Sequence, residues 1–184
     1  VEYELNTEDG DKKVLNITVS EKPTGEIFAS AGAGTQGSTI GFGVVENNFL
    51  GKNISLDTNI RISDETIKGA FSVVNPNWNY SNKALIASIE SSITDRLADY
   101  GYETNKTGFS LGSAWEQYDD VIFSPNVKTY FEKLDTNQSA TANLKKQEGE
   151  YFDTSFAYGL DLDKRNQRFQ TTSGYRSRFN QSIP

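Results

Sequence analysis

The sequence contains few residues that could carry out covalent or metal chemistry. Its 184 residues include no His and no Cys, which removes the usual ligands of structural zinc and the partners of Ser–His and Cys–His catalysis. Two carboxylate pairs remain, Asp119 with Asp120 and Asp161 with Asp163, but neither has the ligand density of a calcium loop or a neighbour suited to acid–base catalysis. We therefore expect no catalytic residue, no metal site and no enzymatic activity.

A glycine-rich segment, Gly32 to Gly37, matches the G-x-G-x-x-G pattern of dinucleotide-binding loops. Such a loop needs a helix that opens at its third glycine and holds the pyrophosphate. The residues that follow, Ser38 to Val44, alternate as in a strand instead. The glycines fit the positive-φ positions of a hairpin better, and we expect no nucleotide and no other cofactor.

The net charge and the hydropathy of the chain exclude some classes of partner and of membrane protein. A net charge of −7 argues against a nucleic-acid partner, because a phosphate backbone requires a basic face. No apolar run approaches the ~20 residues of a membrane-spanning helix. The composition does not exclude a transmembrane β-barrel, since the strands of such a barrel need only every second residue to be apolar.

The dominant pattern is an alternation of apolar and polar residues from Ile54 to Ile183, which predicts an all-β, antiparallel protein. In the clearest segment, Phe156 and Leu160 share one face while Asp153 and Asp161 share the other. Counting from Ile27, the pattern predicts nine strands. They are placed at 27–34, 38–46, 53–62, 66–74, 84–93, 107–115, 121–131, 152–163 and 172–183, after a separate strand at 14–20.

The connections at one end of the predicted sheet carry aromatic residues that suit a membrane interface. We assign six residues to this belt: Phe49, Trp78, Tyr80, Trp115, Tyr118 and Phe169. The opposite end is predicted to hold two long polar loops, 94–106 and 132–150. Short turns at one end and long loops at the other are typical of an outer-membrane barrel.

The polar faces carry charges whose position depends on the fold. In a closed transmembrane barrel they must face the lumen, because a lipid-facing charge near the midplane costs ~2–4 kcal/mol. We assign six residues to the lumen: Asp57, Asn59, Arg61, Asp161, Arg176 and Arg178. The alternative is a soluble β-sandwich binding domain, whose apolar face would pack on a second sheet. Strands of ten or more residues favour the membrane.

Two parts of the chain resemble BamA-type outer-membrane protein assembly factors. The run from Asn47 to Gly51 after a glycine-rich hairpin, and Asn75-Pro76 at the end of the fourth strand, are similar to the start of that barrel. The run from Val14 to Lys22 resembles the last strand of the final POTRA domain. The resemblance divides the chain into the end of a POTRA domain with its linker, 1–24, and the first part of the barrel, 25–184. Since the family's Arg-Gly-Phe motif and closing strand are lacking, we expect a fragment whose sheet is open.

The resemblance implies a protein that folds and inserts other β-barrels in the bacterial outer membrane, with its N-terminal end in the periplasm. The implied partners are unfolded outer-membrane β-barrel clients, outer-membrane lipid and accessory lipoproteins. The first strand is the exposed edge, where backbone groups can pair with a client strand. Its residues are Ile27, Phe28, Ala29, Ser30, Ala31, Gly32 and Ala33. A related translocator and a passive porin remain the alternatives within the membrane class.

Overall fold

The computed structural model describes residues 2–7, 13–20, 22–34 and 37–184. Within these ranges the chain is almost entirely antiparallel β-structure, organised as a two-stranded sheet and a nine-stranded sheet. The all-β architecture predicted from the alternation and the open sheet expected of a barrel fragment are both confirmed. So is the count of nine strands after residue 24, in the part of the chain that the structure describes.

The two-stranded sheet pairs β1 (Glu2–Thr7) with β2 (Lys13–Thr18), and Glu2 lies opposite Thr18. The sequence predicted the second strand but not the first, because six alternating residues are too few to stand out without knowledge of their partner. The assignment of residues 1–24 to the end of a POTRA domain stays a prediction. Of these residues, Val1, 8–12 and Glu21 lie outside the described ones, as do Thr35 and Gln36 of the glycine-rich segment.

The nine-stranded sheet is a simple meander in which each strand pairs with the next one along the chain. Its first and last strands form the two edges. The strands are β3 (Gly25–Gly34), β4 (Gly37–Phe49), β5 (Ile54–Ser63), β6 (Thr66–Asn75), β7 (Ala84–Arg96), β8 (Tyr102–Tyr118), β9 (Val121–Thr136), β10 (Gly149–Asp163) and β11 (Arg176–Ile183). We call the end where β3 begins and β4, β6, β8 and β10 finish the proximal end, and the opposite end the distal end.

The register brings the apolar residues of all nine strands onto one face, because directly paired residues point to the same side of a sheet. Ile27 pairs with Val44, Phe71 with Ile89, and Phe156 with Ile183. Nothing among the described residues covers this face: Ile27 is 85% exposed and Phe156 is 43% exposed. The soluble sandwich required these residues to be buried against a second sheet, so that alternative is wrong.

Connections of similar length occur at both ends of the sheet. Residues 50–53, 76–83, 119–120 and 164–175 connect strands at the proximal end, and 64–65, 97–101 and 137–148 do so at the distal end. The prediction that long loops are confined to one end is therefore wrong. Most of 94–106 and parts of 132–150 belong to extended strands, whose ends are polar on both faces and so lose the alternation that predicts them.

The distal connection between β9 and β10 contains the short helix α1 (Ala142–Lys146). Thr141 caps it, since its hydroxyl accepts a hydrogen bond from the Leu144 amide. In the described ranges, no helix has both the length and the apolar character needed to cross a membrane.

Candidate functional site

The predicted pairing strand forms one free edge of the large sheet. Strand β3 pairs with β4 along its whole length, from Gly25 opposite Glu46 to Gly34 opposite Gly37. In the described sheet its other side has no partner strand. All seven residues predicted to bind a client strand lie on β3, which begins two residues earlier than the sequence predicted, at Gly25.

One main-chain hydrogen bond shows which backbone groups of β3 face the free edge. The Asn47 amide donates to the Thr24 carbonyl across 3.3 Å. This pair continues the register of β3 and β4 by one residue, since Gly25 lies opposite Glu46. In an antiparallel ladder, hydrogen-bonded and non-hydrogen-bonded pairs alternate. We therefore infer that even-numbered residues of β3 bond to β4. The N–H and C=O groups of Ile27, Ala29 and Ala31 point to the unpaired side.

The polar residues predicted on β5 lie together on the face opposite the apolar one. The Asn59 side-chain amide donates to Asp57 Oδ1 across 3.1 Å. Arg61 lies opposite Gly41 on one neighbouring strand and Lys68 on the other. Gly41 has no side chain, and Ser30 Oγ of β3 occupies the space over it, 2.6 Å from a Cβ built at this position.

The other three predicted polar residues form a separate cluster at the proximal ends of β10 and β11. Arg176 binds Asp161 through Nε at 2.8 Å and through Nη2, and Arg178 Nη2 lies 3.3 Å from Asp161 Oδ2. The register explains the cluster, since Asp161 is directly opposite Arg178. The structure thus brings the six residues together as two groups of three, on different parts of one polar face.

A third group on the polar face was missed by the sequence analysis. Lys68 Nζ lies 3.3 Å from Glu90 Oε2, and the Tyr130 hydroxyl donates to Glu90 Oε1 across 3.1 Å. Lys106 lies 3.1 Å from Glu132 and 4.6 Å above the Tyr130 ring. These contacts link β6, β7, β8 and β9. In the sequence, these residues occupy polar positions of the apolar–polar alternation. Only the register shows which strands they join.

The six predicted interface aromatics all lie at the proximal end. They occupy strand ends and connections there: Phe49, Trp78, Tyr80, Trp115, Tyr118 and Phe169. The Trp115 ring contacts Phe123 edge to face at 5.1 Å, and Lys83 Nζ lies 5.0 Å from the Trp115 ring centre. Tyr80 is 92% exposed. Whether this end meets a membrane interface stays a prediction.

An ion pair ties the last proximal connection to its strand. Asp163 follows Leu162, the last apolar residue of β10, and accepts two hydrogen bonds of 2.7 Å from Arg165. The hydrogen bonds from Arg165 hold the pKa of the Asp163 carboxyl well below its usual range. Asp163 is therefore ionised across the ordinary pH range, and the pair fixes the direction in which the chain leaves β10.

Comparisons with known proteins bear on this edge and on the sheet. The model of the Omp85 superfamily domain matches residues 48–183. The outer membrane protein assembly factor BamA of Neorickettsia risticii (strain Illinois) is 26% identical over 180 residues, which cover 93% of this chain and 23% of that protein. The chain thus spans about a quarter of the length of this curated relative.

The fold has a counterpart among solved structures. The crystal structure of BamA from Haemophilus ducreyi lacking POTRA domains 1–3 matches with a TM-score of 0.64 and 18% sequence identity. The match covers 99% of this chain and 38% of that one. The nine-stranded sheet therefore has the fold of part of a BamA barrel.

Proposed function

Because the chain belongs to the Omp85 superfamily, we propose that it is part of an outer-membrane protein assembly factor. It acts without enzymatic chemistry, by pairing its first barrel strand with strands of unfolded β-barrel clients. A relative named as an assembly factor supports this proposal. The observation that carries it is that one side of β3 has no partner strand in the described sheet, and that β3 is built largely from small residues.

The proposed mechanism follows from the chemistry of a strand edge. An unpaired edge presents a row of N–H and C=O groups that a second extended chain can satisfy. On β3 these groups belong to alternate residues, among them Ala29 and Ala31. Their small methyl groups leave room for the side chains of a client strand that pairs with this edge. Recognition through the backbone is independent of client sequence. Such an edge can therefore serve many different barrel proteins.

The proposal also orients the sheet. The exposed apolar face contacts lipid, and the polar face with Arg61 and Asp161 lines the lumen, since charge is costly in hydrocarbon. The proximal aromatics lie at the membrane interface. The N-terminal end, with residues 1–24 as the end of a POTRA domain, lies in the periplasm. Accessory lipoproteins bind the longer protein of which this chain is a part.

Site-specific crosslinking in that longer protein tests the proposal. A cysteine is placed at each of the seven positions from Ile27 to Ala33, and a client is stalled during insertion. We expect disulfide crosslinks whose yield alternates along β3, because successive side chains point to opposite faces. A cysteine at Ser110, in the middle of the sheet on β8, is the control and should give none.

Two outcomes would contradict the proposal. The first is an intact barrel that gives no crosslink at any position of β3. The second is crosslinks to a secreted substrate that never becomes a membrane barrel, which would favour the related translocator.

A further inference from the structure

A cavity lies between two neighbouring connections at the proximal end of the sheet. It is formed where β4 turns into β5 and where β6 turns into β7, and its volume is about 690 Å³. Asn48, Lys52 and Asn53 line it on the first side, and Asn75 and Asn77 line it on the second. Asn48 and Asn75 belong to the two segments that resemble the start of the BamA-type barrel. The structure thus places both segments around one space.

Three of these asparagines line the cavity with hydrogen-bond donors that are not used within the fold. The side-chain oxygens of Asn48, Asn75 and Asn77 each accept a hydrogen bond from a backbone amide of their own turn, across 2.7, 3.1 and 2.9 Å. These bonds determine which end of each side-chain amide is the oxygen, because a backbone N–H can only donate. In the described part of the chain the three NH2 groups have no acceptor, and each offers two N–H donors.

The charge of the cavity suits the same kind of ligand as these donors. Lys52 contributes an ammonium group, and none of the described lining residues is acidic. The neighbouring carboxylate of Glu46 accepts hydrogen bonds from the Thr24 hydroxyl and the Asn48 amide, and it does not line the cavity. An ammonium group and several N–H donors without a carboxylate are the environment that an anion such as phosphate requires.

The cavity continues the apolar face of the sheet at its proximal end. Ile54 lines the cavity, and it lies on the same face as Leu56, two residues further along β5. Trp78 and Tyr80 line the cavity as well, and 53% and 92% of their surfaces are exposed. Tyr80 has a φ of 56°, a left-handed conformation that bulky residues rarely adopt and that is commonly retained at functional sites. An anion bound here is therefore next to the surface that lipid chains contact.

We propose that this cavity binds the phosphate group of a membrane phospholipid. The donors are the Lys52 ammonium and the side-chain NH2 groups of Asn48, Asn75 and Asn77. The acyl chains of the lipid lie along the outer face beside Ile54, and the bound headgroup fixes the depth of the first strands in the bilayer. The site rests on the membrane orientation of the proposed function, but it does not require a client.

Native mass spectrometry of the longer protein in detergent tests the site with two lipids that have the same acyl chains. Phosphatidylglycerol carries the phosphate group, and diacylglycerol lacks it. We expect the unaltered protein to bind phosphatidylglycerol more tightly. Asn75→Asp should reduce this affinity by about tenfold or more, because a carboxylate oxygen replaces an N–H donor beside the phosphate. The bond from the Asn77 amide is kept, and the affinity for diacylglycerol should not change.

A matched control makes the same exchange on another proximal connection. Asn166 Oδ1 also accepts hydrogen bonds from backbone amides, at 3.3 Å from Thr172 and 3.2 Å from Ser173, so Asn166→Asp should leave the affinity for phosphatidylglycerol unchanged. If Asn75→Asp does not form its barrel, Lys52→Gln removes only the exposed ammonium and should weaken phosphatidylglycerol alone. Inorganic phosphate in excess should not displace the lipid, since it has no chain to contact the outer face.

The lipid site is overturned if the unaltered protein binds the two lipids equally, or if Asn75→Asp and Lys52→Gln both keep the preference for phosphatidylglycerol. An equal loss in Asn166→Asp, or displacement of the lipid by inorganic phosphate, would overturn it too. A preference for phosphatidylglycerol without client crosslinks on β3 would refute client pairing and keep the lipid site. Crosslinks without that preference would do the reverse.

Discussion

Gly108 shows how a single position on the polar face determines the packing around it. It is buried beneath the Tyr130 ring, and a Cβ at this position would lie 2.3 Å from Tyr130 Cε1. The ring in turn directs its hydroxyl to Glu90 and lies under the Lys106 ammonium. The absence of a side chain at Gly108 therefore permits the contacts that join β7, β8 and β9.

We expect Gly108→Ala to destabilise the barrel of the longer protein by about 1–3 kcal/mol, the usual cost of overpacking. The added methyl must push the Tyr130 ring away and weaken its bond to Glu90. The measurement is the urea midpoint of unfolding in detergent. Gly69→Ala is the control, because no heavy atom lies within 4 Å of a Cβ there. Equal midpoints for the two variants would refute this role of Gly108.

At the residue scale, the sequence predicted which face of its strand a residue occupies, but not which residues of other strands it contacts. The alternation placed Asp57, Arg61 and Asp161 on the polar side of their strands, and their assignment to a lumen stays a prediction. It could not place Glu90 beside Tyr130, because these residues are 40 positions apart. Their contact depends on the register of two successive hairpins, which alternation alone leaves undetermined.

At the element scale, substitutions on β3 can test which of its backbone N–H groups bond to β4 and which point to the free edge. Ala29→Pro deletes an N–H that points to the free edge, so β3 should keep its pairing with β4. We expect client insertion to fall while the barrel remains folded. Ser30→Pro deletes a donor that bonds to β4 and should unfold the strand instead. Ala29→Ser should be nearly silent. The readouts are insertion of a client in proteoliposomes and heat modifiability of the barrel.

Three results would contradict this prediction. They are full insertion activity of Ala29→Pro, an Ala29→Pro variant that fails to form its barrel, and a Ser30→Pro variant that is fully active. The first would show that the free edge is not used. The other two would show that the alternation of donors along β3 is opposite to the one inferred from the Asn47–Thr24 bond.

Element positions were predictable where hydrophobic alternation extends through a strand, and less so beyond it. All nine strands of the large sheet were located, yet β8 was predicted at 107–115 and spans Tyr102–Tyr118. The additional residues are polar on both faces, so no period of two is visible. The hydrogen-bonded ladder continues past the apolar band because backbone pairing does not depend on side-chain hydropathy.

Across the whole molecule, side-chain contacts between strands are distributed unevenly. The polar face of β6 to β9 is linked by Lys68, Glu90, Tyr130, Lys106 and Glu132, and β10 is linked to β11 through Asp161. On β3 and β4 the same face carries mainly glycine, and no ion pair joins the two strands among the described residues. The sheet is therefore stiffest away from its first edge. It should deform most easily where the proposed client strand pairs.

The open sheet predicts how the 184-residue chain behaves by itself. Its two edges, β3 and β11, are the first and ninth strands of a meander in the described sheet, so they run in the same direction. Closing this sheet on itself would require a parallel pair, whereas bacterial single-chain barrels close antiparallel with an even number of strands. Refolded into detergent, the chain should show strand circular dichroism but no heat-resistant compact band on a cold gel. The longer protein should show one under the same conditions. A compact monomeric band from the 184-residue chain would mean that the sheet can close without the remaining strands.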